Sequence, residues 1–222
     1  LKKGEILSFF GLVGAMRTEV MRVIFGADPA TSGNIYLNGK KIDSASPYEN
    51  VRAGIGLVSE NRKEEGFVPN LNNADNIALA SIPKYEKGAF VSEDLKNNNS
   101  IEVGTKVGLT PNDPEFMTTS LSGGNAQKVI LAKWLSTDVD VLIMDEPTKG
   151  IDIGAKAEIY KLMEQMVEDG KSIIMVSSEL TEAIGMSDRI LVMREGAIVA
   201  EFDKDEFAEQ SIITFAVGGN KK

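Results

Sequence analysis

The sequence predicts an α/β fold in which a mostly parallel sheet is flanked by helices, with an antiparallel β ribbon and an inserted helical subdomain. Three observations predict it. Short apolar runs rich in β-branched residues alternate with helical patterns, an Asn-Gly pair lies between two short runs near the start, and a long middle stretch is mostly helical in character. At 222 residues, the chain is long enough to bury a substantial core.

Five apolar runs bounded by turn signals predict the buried strands. They are residues 5–10, 55–59, 139–144, 172–176 and 189–193. The clearest helix is predicted over 155–167, where apolar residues recur at helical spacing and Gly170 supplies the stop. Strands that alternate with helices favour a parallel sheet covered on both faces.

Two regions depart from this alternation. Residues 35–42 place Asn38 and Gly39 between two short runs, which predicts an antiparallel hairpin. Residues 66–134 form the predicted helical subdomain, inserted into a single domain that spans 1–222. Because the chain begins at Leu1, directly before an apolar run, we expect a fragment of a longer polypeptide that lacks its first strands.

Composition excludes several kinds of chemistry. The sequence has no Cys and no His, which excludes thiolate and imidazole metal sites, a Cys–His nucleophile pair and a histidine general base. With 24 basic and 33 acidic residues, the net charge of −9 argues against a nucleic-acid partner. No apolar run approaches the length of a membrane span, so we expect a cytoplasmic chain that can still dock on a membrane protein.

A glycine loop follows the first predicted strand and precedes a helical run. Its residues are Gly11, Leu12, Val13, Gly14, Ala15, Met16, Arg17, Thr18 and Glu19. Strand, glycine loop and helix form the context in which N–H groups and a helix N-terminus bind phosphate, although a glycine turn without a ligand is the alternative. The G-x-x-x-x-G-K-[ST] pattern is met only in part, because Met16 replaces the second glycine and Arg17 replaces the lysine.

Both replacements have physical consequences for the loop. A Met side chain is expected to remove the backbone freedom that glycine has at this position. Arginine presents a planar fork instead of the compact charge of lysine, so the exchange is not neutral. We therefore expect phosphate binding to survive and efficient phosphoryl transfer to be lost.

Adjacent carboxylates end the apolar run 139–144. Asp145 and Glu146 can do different jobs there, because alternate strand residues face opposite ways and the strand ends at this point. In P-loop enzymes the first carboxylate holds Mg²⁺ through water and the second can polarise the attacking water. Solvated acids at an ordinary turn are the alternative.

A second anion site is predicted where Ser122, Gly123, Gly124 and Asn125 open a helix. Exposed N–H groups, a hydroxyl and the positive end of the helix dipole coincide at such a turn. An ordinary capped helix is the alternative for any isolated Ser-Gly-Gly.

In this order, the glycine loop, the Leu-Ser-Gly-Gly turn and the Asp-Glu-Pro strand end resemble the nucleotide-binding domain of ABC ATPases over nearly the whole chain. Residues 121–128, 148–160, 177–180 and 186–193 look like the C-terminal half of the ATP-binding subunit of bacterial monosaccharide importers for ribose, galactose or xylose. The resemblance implies a P-loop NTPase fold of the ABC type, ATP and Mg²⁺ as ligands, and ATP hydrolysis coupled to sugar uptake.

The resemblance also implies a role for particular residues. The residues expected at the ATP phosphates are Gly11, Val13, Gly14, Ala15, Met16, Arg17, Thr18 and Glu19. Thr18, Asp145 and Glu60 are expected at Mg²⁺, and Glu146 takes the position of the catalytic carboxylate.

Other residues are expected to serve a second nucleotide, held by a partner domain. The signature turn that reaches it is Ser122, Gly123, Gly124 and Asn125. Ile151 and Asp152 lie in the loop that communicates between the sites, and Ser178 stands where the family places a histidine against the γ-phosphate.

The implied partners are an N-terminal ABC domain of the same polypeptide or a second copy, transmembrane permease subunits and, indirectly, a periplasmic sugar-binding protein. Residues 69–80 are the expected permease contact, on the cytoplasmic face of the membrane. The departures at Met16, Arg17, Glu60 and Ser178 predict a slow or non-hydrolytic own site beside a signature turn that completes the partner's site. A non-hydrolytic dimerisation module is the alternative, and the acidic charge disfavours an ABC ATPase of DNA repair or translation.

Overall fold

A computed structural model of the chain describes residues 1–42 and 46–219. The protein separates into two compact units. Unit 1 comprises Leu1–Leu57, Asp140–Pro147 and Met163–Lys222, and unit 2 comprises Val58–Val139 and Thr148–Leu162. The predicted helical subdomain, residues 66–134, lies inside unit 2. Residues 43–45 and 220–222 lie outside the described residues. The single domain over 1–222 stays a prediction.

The chain alternates strands and helices through most of its length. In chain order the strands are β1 (Ile6–Phe10), β2 (Ile35–Leu37), β3 (Lys40–Ile42), β4 (Ile55–Val58), β5 (Glu86–Lys87), β6 (Phe90–Val91), β7 (Val141–Asp145), β8 (Ser172–Ser177), β9 (Arg189–Arg194) and β10 (Ala197–Asp203). The helices are α1 (Arg17–Phe25), α2 (Pro47–Ala53), α3 (Asn73–Ala78), α4 (Glu93–Lys106), α5 (Gly123–Leu135), α6 (Ile153–Glu168), α7 (Leu180–Met186) and α8 (Glu209–Ala216). The boundary between the units falls inside β4 and α6.

Unit 1 is built on a six-stranded sheet with the order β10-β9-β1-β8-β7-β4. β1 lies parallel to both β8 and β9, and β7 lies parallel to β8. β10 closes one edge by pairing antiparallel with β9. The mostly parallel sheet predicted from the sequence is therefore confirmed, and the carboxyl ends of β1, β8 and β7 meet at one edge of it.

The strands of this sheet are held by apolar side chains that alternate between two clusters. Leu7 and Phe9 of β1 pack with Met21 of α1 in one cluster, whereas Phe10 packs with Ile212 of α8 in the other. This alternation is the period of two that a strand imposes. All residues of β1 and β7 are buried, as parallel strands covered on both faces require.

The five predicted strands are present, with ends within two residues of the expected ones. β10 was not predicted, and its residues are mostly exposed or half-buried. Such exposure is ordinary for an antiparallel strand at the edge of a sheet.

The predicted β ribbon is also confirmed. β2 and β3 pair antiparallel, and the turn between them places Asn38 at φ 50 and Gly39 at φ 76. Left-handed dihedrals at both central positions are those of a type I′ turn, which Asn-Gly favours. A second short hairpin, β5–β6, lies inside the stretch that was predicted to be mostly helical, with Gly88 at φ 66 in its turn.

Helix α6 matches its prediction closely. The expected range was 155–167, and the helix starts two residues earlier and ends one residue later. Asp152 Oδ1 accepts a hydrogen bond from the Ala155 N–H at 3.0 Å, which satisfies a donor of the first turn. Ile159, Met163 and Met166 are buried on one face.

In unit 2, α3, α4 and α5 pack against one another. The buried side chain of Asn76 crosslinks this unit, because its amide donates to Thr118 Oγ1 at 3.0 Å and accepts from the Val68 N–H at 2.7 Å. Most of α3 is buried, so only its flanks, such as Pro69 and Leu79, are exposed within the predicted permease contact 69–80. Across the described ranges, no helix combines the length and apolar character needed to cross a membrane.

Candidate functional site

The polar segments that end three neighbouring strands lie together in unit 1. The glycine loop follows β1, Asp145 ends β7, and Ser177 ends β8. The register pairs Phe10 with Ser177 and Asp145 with Val176, so the three strand ends are level. The sequence-predicted acid pair, glycine loop and Ser178 are thus brought to one edge of one sheet, where α/β folds bind ligands.

The glycine loop is shaped by close contacts and left-handed residues. A Cβ at Gly11 would lie 2.5 Å from the Met193 carbonyl oxygen, so only glycine fits there. Gly14 has φ 87, and Met16 has φ 64 and ψ 34. The expectation that Met16 would deny the loop a glycine-like conformation is wrong. The residue adopts the left-handed region at a cost of about 1–2 kcal/mol.

Arg17 begins α1 and turns inward, toward the ends of β8 and β7. It is 9% exposed, and its Nη1 donates to the Ser177 carbonyl oxygen at 2.5 Å. The same nitrogen lies 3.5 Å from Glu146 Oε1. The guanidinium that replaces the loop lysine is therefore bound by groups of its own unit.

Glu146, the predicted catalytic carboxylate, follows β7 in a left-handed conformation with φ 48. Its N–H donates to the Val176 carbonyl oxygen at 2.9 Å, which fixes it beside the end of β8. Its Oε2 accepts from Ser178 Oγ at 3.1 Å. A non-glycine residue held at positive φ is the kind of strain that concentrates at functional sites.

Sequence reasoning missed Ser177 and Glu182. The buried Ser177 Oγ donates to Glu182 Oε2 at 2.5 Å, and it accepts from the Glu179 N–H at 3.0 Å. These bonds fix the end of β8 and the residues that follow it. There the Ser177 carbonyl accepts from Arg17, and Ser178 donates to Glu146. A serine followed by an acid five positions later carries no motif, so no sequence signal marks this pair.

The Ser-Gly-Gly turn lies in unit 2 and opens α5 as predicted. Ser122 is the N-cap, and its Oγ accepts from the Asn125 N–H at 3.4 Å. Asn125 Oδ1 accepts from the Thr110 N–H at 2.9 Å. Ser122 and Gly123 are exposed, whereas a Cβ on the buried Gly124 would lie 2.7 Å from the Ala155 Cβ. The turn thus packs against α6 on one side and is exposed to solvent on the other.

The loop 148–152 lies beside this turn in the same unit. Lys149 forms an ion pair with Glu60, the residue predicted at Mg²⁺. Arg62 donates to the Lys149 carbonyl oxygen at 2.6 Å and to the Gly123 carbonyl oxygen at 3.2 Å. Asp152, predicted in the communicating loop, caps α6, and its neighbour Ile151 is buried. Glu60, Arg62 and Gly123 also line a cavity of about 560 Å³ in unit 2.

The donor set of unit 1 suits Mg²⁺ held together with a phosphate. Thr18 lies in the first turn of α1, and Asp145, whose carboxylate is buried, ends β7. Mg²⁺ binds through one or two carboxylates, waters and substrate phosphates instead of a full protein cage. Among residues 1–42 and 46–219, no group of three or more acidic side chains could hold a metal. Glu60 belongs to unit 2, and its role at the metal stays a prediction.

Comparison with known proteins gives consistent matches. The family model described as ABC transporter matches residues 1–149. A ribose import ATP-binding protein of Bacillus cereus is 43% identical over 219 residues, which cover 99% of this chain and 44% of that protein. An arabinose import ATP-binding protein of Vibrio parahaemolyticus is 43% identical over 223 residues, covering 100% of this chain and 44% of that protein. The chain therefore spans less than half the length of these curated relatives.

Solved structures agree on the fold. The dimeric post-hydrolysis structure of the ATP-binding cassette MJ0796, bound to ADP and Pi, has a TM-score of 0.80 at 24% identity, covering 93% of this chain and 88% of that one. The structure of cbiO1 from Clostridium perfringens, part of an ABC transporter complex, has a TM-score of 0.77 at 25% identity, covering 96% of this chain and 83% of that one.

Proposed function

The chain belongs to the ABC transporter family, and we propose that it is an ATP-binding domain of a sugar importer, coupling ATP binding and hydrolysis to monosaccharide uptake. The names of its relatives, which import ribose or arabinose, support the sugar class. Their greater length supports a second ABC domain in the same polypeptide as the partner.

Within such a subunit, this domain contributes unequally to two nucleotide sites. Its own glycine loop forms a slow or non-hydrolytic site, while Ser122–Asn125 completes the partner's site. One observation carries this assignment: Arg17 and Ser178, which would face the phosphates, each donate a hydrogen bond to another group of unit 1. Arg17 donates to the Ser177 carbonyl, and Ser178 donates to Glu146. A serine hydroxyl has a single proton, so the one given to Glu146 is not available to a phosphate.

At its own site, the chain's residues would bind and orient the nucleotide. Backbone N–H groups of 11–19 and the positive end of α1 attract the phosphates. Thr18 and Asp145 would hold Mg²⁺, which supplies charge neutralisation on the phosphate oxygens. Glu146 would orient water with the lone pairs of its carboxylate that remain beside the hydrogen bond from Ser178 and the ion pair with Arg17.

At the partner's site, the exposed signature turn offers N–H groups, the hydroxyl of Ser122 and the start of the α5 dipole to the other nucleotide. Transmembrane permease subunits and, through them, a periplasmic sugar-binding protein complete the assembly. The domain then acts at the cytoplasmic face of the membrane, without nucleic acid.

Turnover by the two-domain subunit tests this division of labour. We expect Ser122→Arg to lower ATP hydrolysis by at least about 100-fold, because it places a bulky cation at the partner's nucleotide. Glu146→Gln leaves most of the turnover intact, because its own site is slow. Ser92→Arg is the matched control: Ser92 also caps a helix of unit 2, accepting from the Leu95 N–H, so it separates loss of a cap from loss of the site. Hydrolysis that survives Ser122→Arg and is abolished by Glu146→Gln would reverse the assignment.

The contact between Arg17 and Glu146 also favours a second function, a non-hydrolytic nucleotide-binding and dimerisation module. Binding and hydrolysis by the isolated chain separate the two. Nucleotide binding without hydrolysis by either the chain or the two-domain subunit supports the module, whereas hydrolysis by the subunit alone supports the importer domain.

A further inference from the structure

Arg62 joins two loops of unit 2 that no sequence motif connects to it. Its side chain donates to the carbonyl oxygen of Gly123, at the start of α5, and to that of Lys149, in the loop that leads to α6. The two acceptors are 26 positions apart in sequence, so one guanidinium spans both helix starts. A planar fork of donors suits such a bridge, and lysine could not reproduce it.

The two loops lie within van der Waals distance of Arg62 and of each other. A Cβ at Gly150 would lie 3.4 Å from Arg62 Nη2, and a Cβ at Gly123 would lie 3.5 Å from the Gly150 carbonyl oxygen. Gly150 has φ 65, so glycine serves there for its backbone conformation. Burial lowers the pKa of the Arg62 guanidinium, in keeping with acceptors that carry no formal charge.

The segment that carries Arg62 makes a second contact with Lys149. Arg62 is the first residue of a π-helical turn, Arg62–Gly66, and Glu60, two residues before it, forms the ion pair with Lys149. The Glu60 side chain and the Arg62 guanidinium therefore bind the same residue, one through its ammonium and the other through its carbonyl. A shift of the segment 60–62 would be transmitted to the loop 149–152 and the signature turn together.

We propose that Arg62 is a positioning residue of the signature turn, holding Gly123 and the loop 149–152 at the spacing that the partner's nucleotide requires. This inference rests on the proposed function, because it assigns the turn to the partner's site. Arg62 acts through the backbone of other residues and does not itself touch the nucleotide.

Turnover by the two-domain subunit provides the first test. We expect Arg62→Met to lower kcat by about 10–100-fold with little change in the KM for ATP, since a small displacement of positioned groups costs rate. Arg62→Lys should recover only part of the loss, because one ammonium cannot serve both carbonyls in the same plane. Lys63→Met removes an exposed charge from the same turn and should behave as wild type.

Ser122→Arg, measured alongside, separates the two proposals. If Ser122→Arg abolishes hydrolysis and Arg62→Met retains the wild-type kcat, the positioning role is wrong and the proposed function stands. If Ser122→Arg leaves hydrolysis intact, the proposed function fails.

Amide hydrogen exchange of the chain tests the positioning role without activity. Arg62→Met should raise exchange severalfold in peptides covering 123–127 and 150–155, and leave β1, β7 and β8 unchanged. Exchange at the wild-type rate in both peptides would overturn the positioning role, whatever the turnover shows.

Discussion

Two helix starts in this chain, those of α1 and α5, are suited to phosphate. The residues at these two starts are arranged differently. α1 begins after a left-handed Met16 that makes no side-chain cap, and its first residue, Arg17, is buried against the Ser177 carbonyl and Glu146. α5 begins after Ser122, which caps it in the ordinary extended conformation and stays exposed. At the first start the arginine is bound to groups of its own unit, whereas the turn at the second start is exposed. A family motif can therefore keep its place in a fold while a side chain within it turns toward the protein itself.

The largest effect is expected from a pair of glycine substitutions that compares the two helix starts directly. Gly124→Ala puts a Cβ 2.7 Å from that of Ala155, so the signature turn must move, and subunit turnover should fall by about 100-fold. Gly14→Ala meets no atom within 4 Å, and its strain at φ 87 should cost about 1–2 kcal/mol of stability. Its turnover should stay close to wild type. A greater loss of turnover from Gly14→Ala than from Gly124→Ala would contradict the difference proposed between the two helix starts.

The buried pair at the first helix start comes next in size. Arg17 and Glu146 have side chains that are each 9% exposed. A double-mutant cycle of Arg17→Met and Glu146→Gln, followed by urea unfolding of the chain, should give a coupling energy of about 1–3 kcal/mol. A coupling below about 0.5 kcal/mol would show that Arg17 does not hold the carboxylate.

The pH dependence of stability is expected to report on Lys133 of α5. Burial lowers the pKa of Lys133, on α5, to about 8, while its Nζ donates to the Gly66 carbonyl oxygen at 2.8 Å. Between pH 8 and the ordinary lysine range, the unfolded chain binds more protons than the folded one, so this group makes stability rise with pH. We expect a rise of about 1–2 kcal/mol relative to Lys133→Met, measured by urea unfolding. A difference between the two proteins that does not vary with pH would contradict it.

The smallest effect is expected at the ion pair beside the second start. Glu60 and Lys149 have side chains 35% and 61% exposed, so their coupling should stay below about 1 kcal/mol and weaken with salt. A double-mutant cycle of Glu60→Gln and Lys149→Met, measured by urea unfolding at low and high salt, gives this coupling energy. A salt-insensitive coupling as large as that of Arg17 and Glu146 would remove the contrast between the two sites.

The sequence predicted the parts of this molecule that local patterns determine. Apolar runs located the five strands, Asn38-Gly39 located the ribbon, and the three motifs fell where strands end or helices begin. Family membership followed from their order along the chain. Each of these features depends on residues that are neighbours in sequence.

What the sequence could not predict depends on residues brought together from far apart. Arg17 and Glu146 are separated by 129 positions, and Arg62 and Lys149 by 87. Nothing near Arg17 signals that its guanidinium would turn inward instead of outward. The dihedrals of Met16 were mispredicted for the same reason: local preference disfavours them, and the loop imposes them, as in the bond from the Gly196 N–H to the Ala15 carbonyl oxygen.

The position of β1 has a consequence for the order in which the protein forms. β1 is made before the other strands of its sheet, yet both of its neighbours, β8 and β9, come from residues 172–194. At translation rates of roughly 5–20 residues per second, about 10–30 seconds separate the synthesis of β1 from that of its first partner. During this interval Leu7, Phe9 and Phe10 have no strand beside them, and the glycine loop lacks the neighbouring strands that position it. The proposed nucleotide site is therefore among the last features of unit 1 to form, and removal of β8 or β9 would damage it as surely as a substitution inside it.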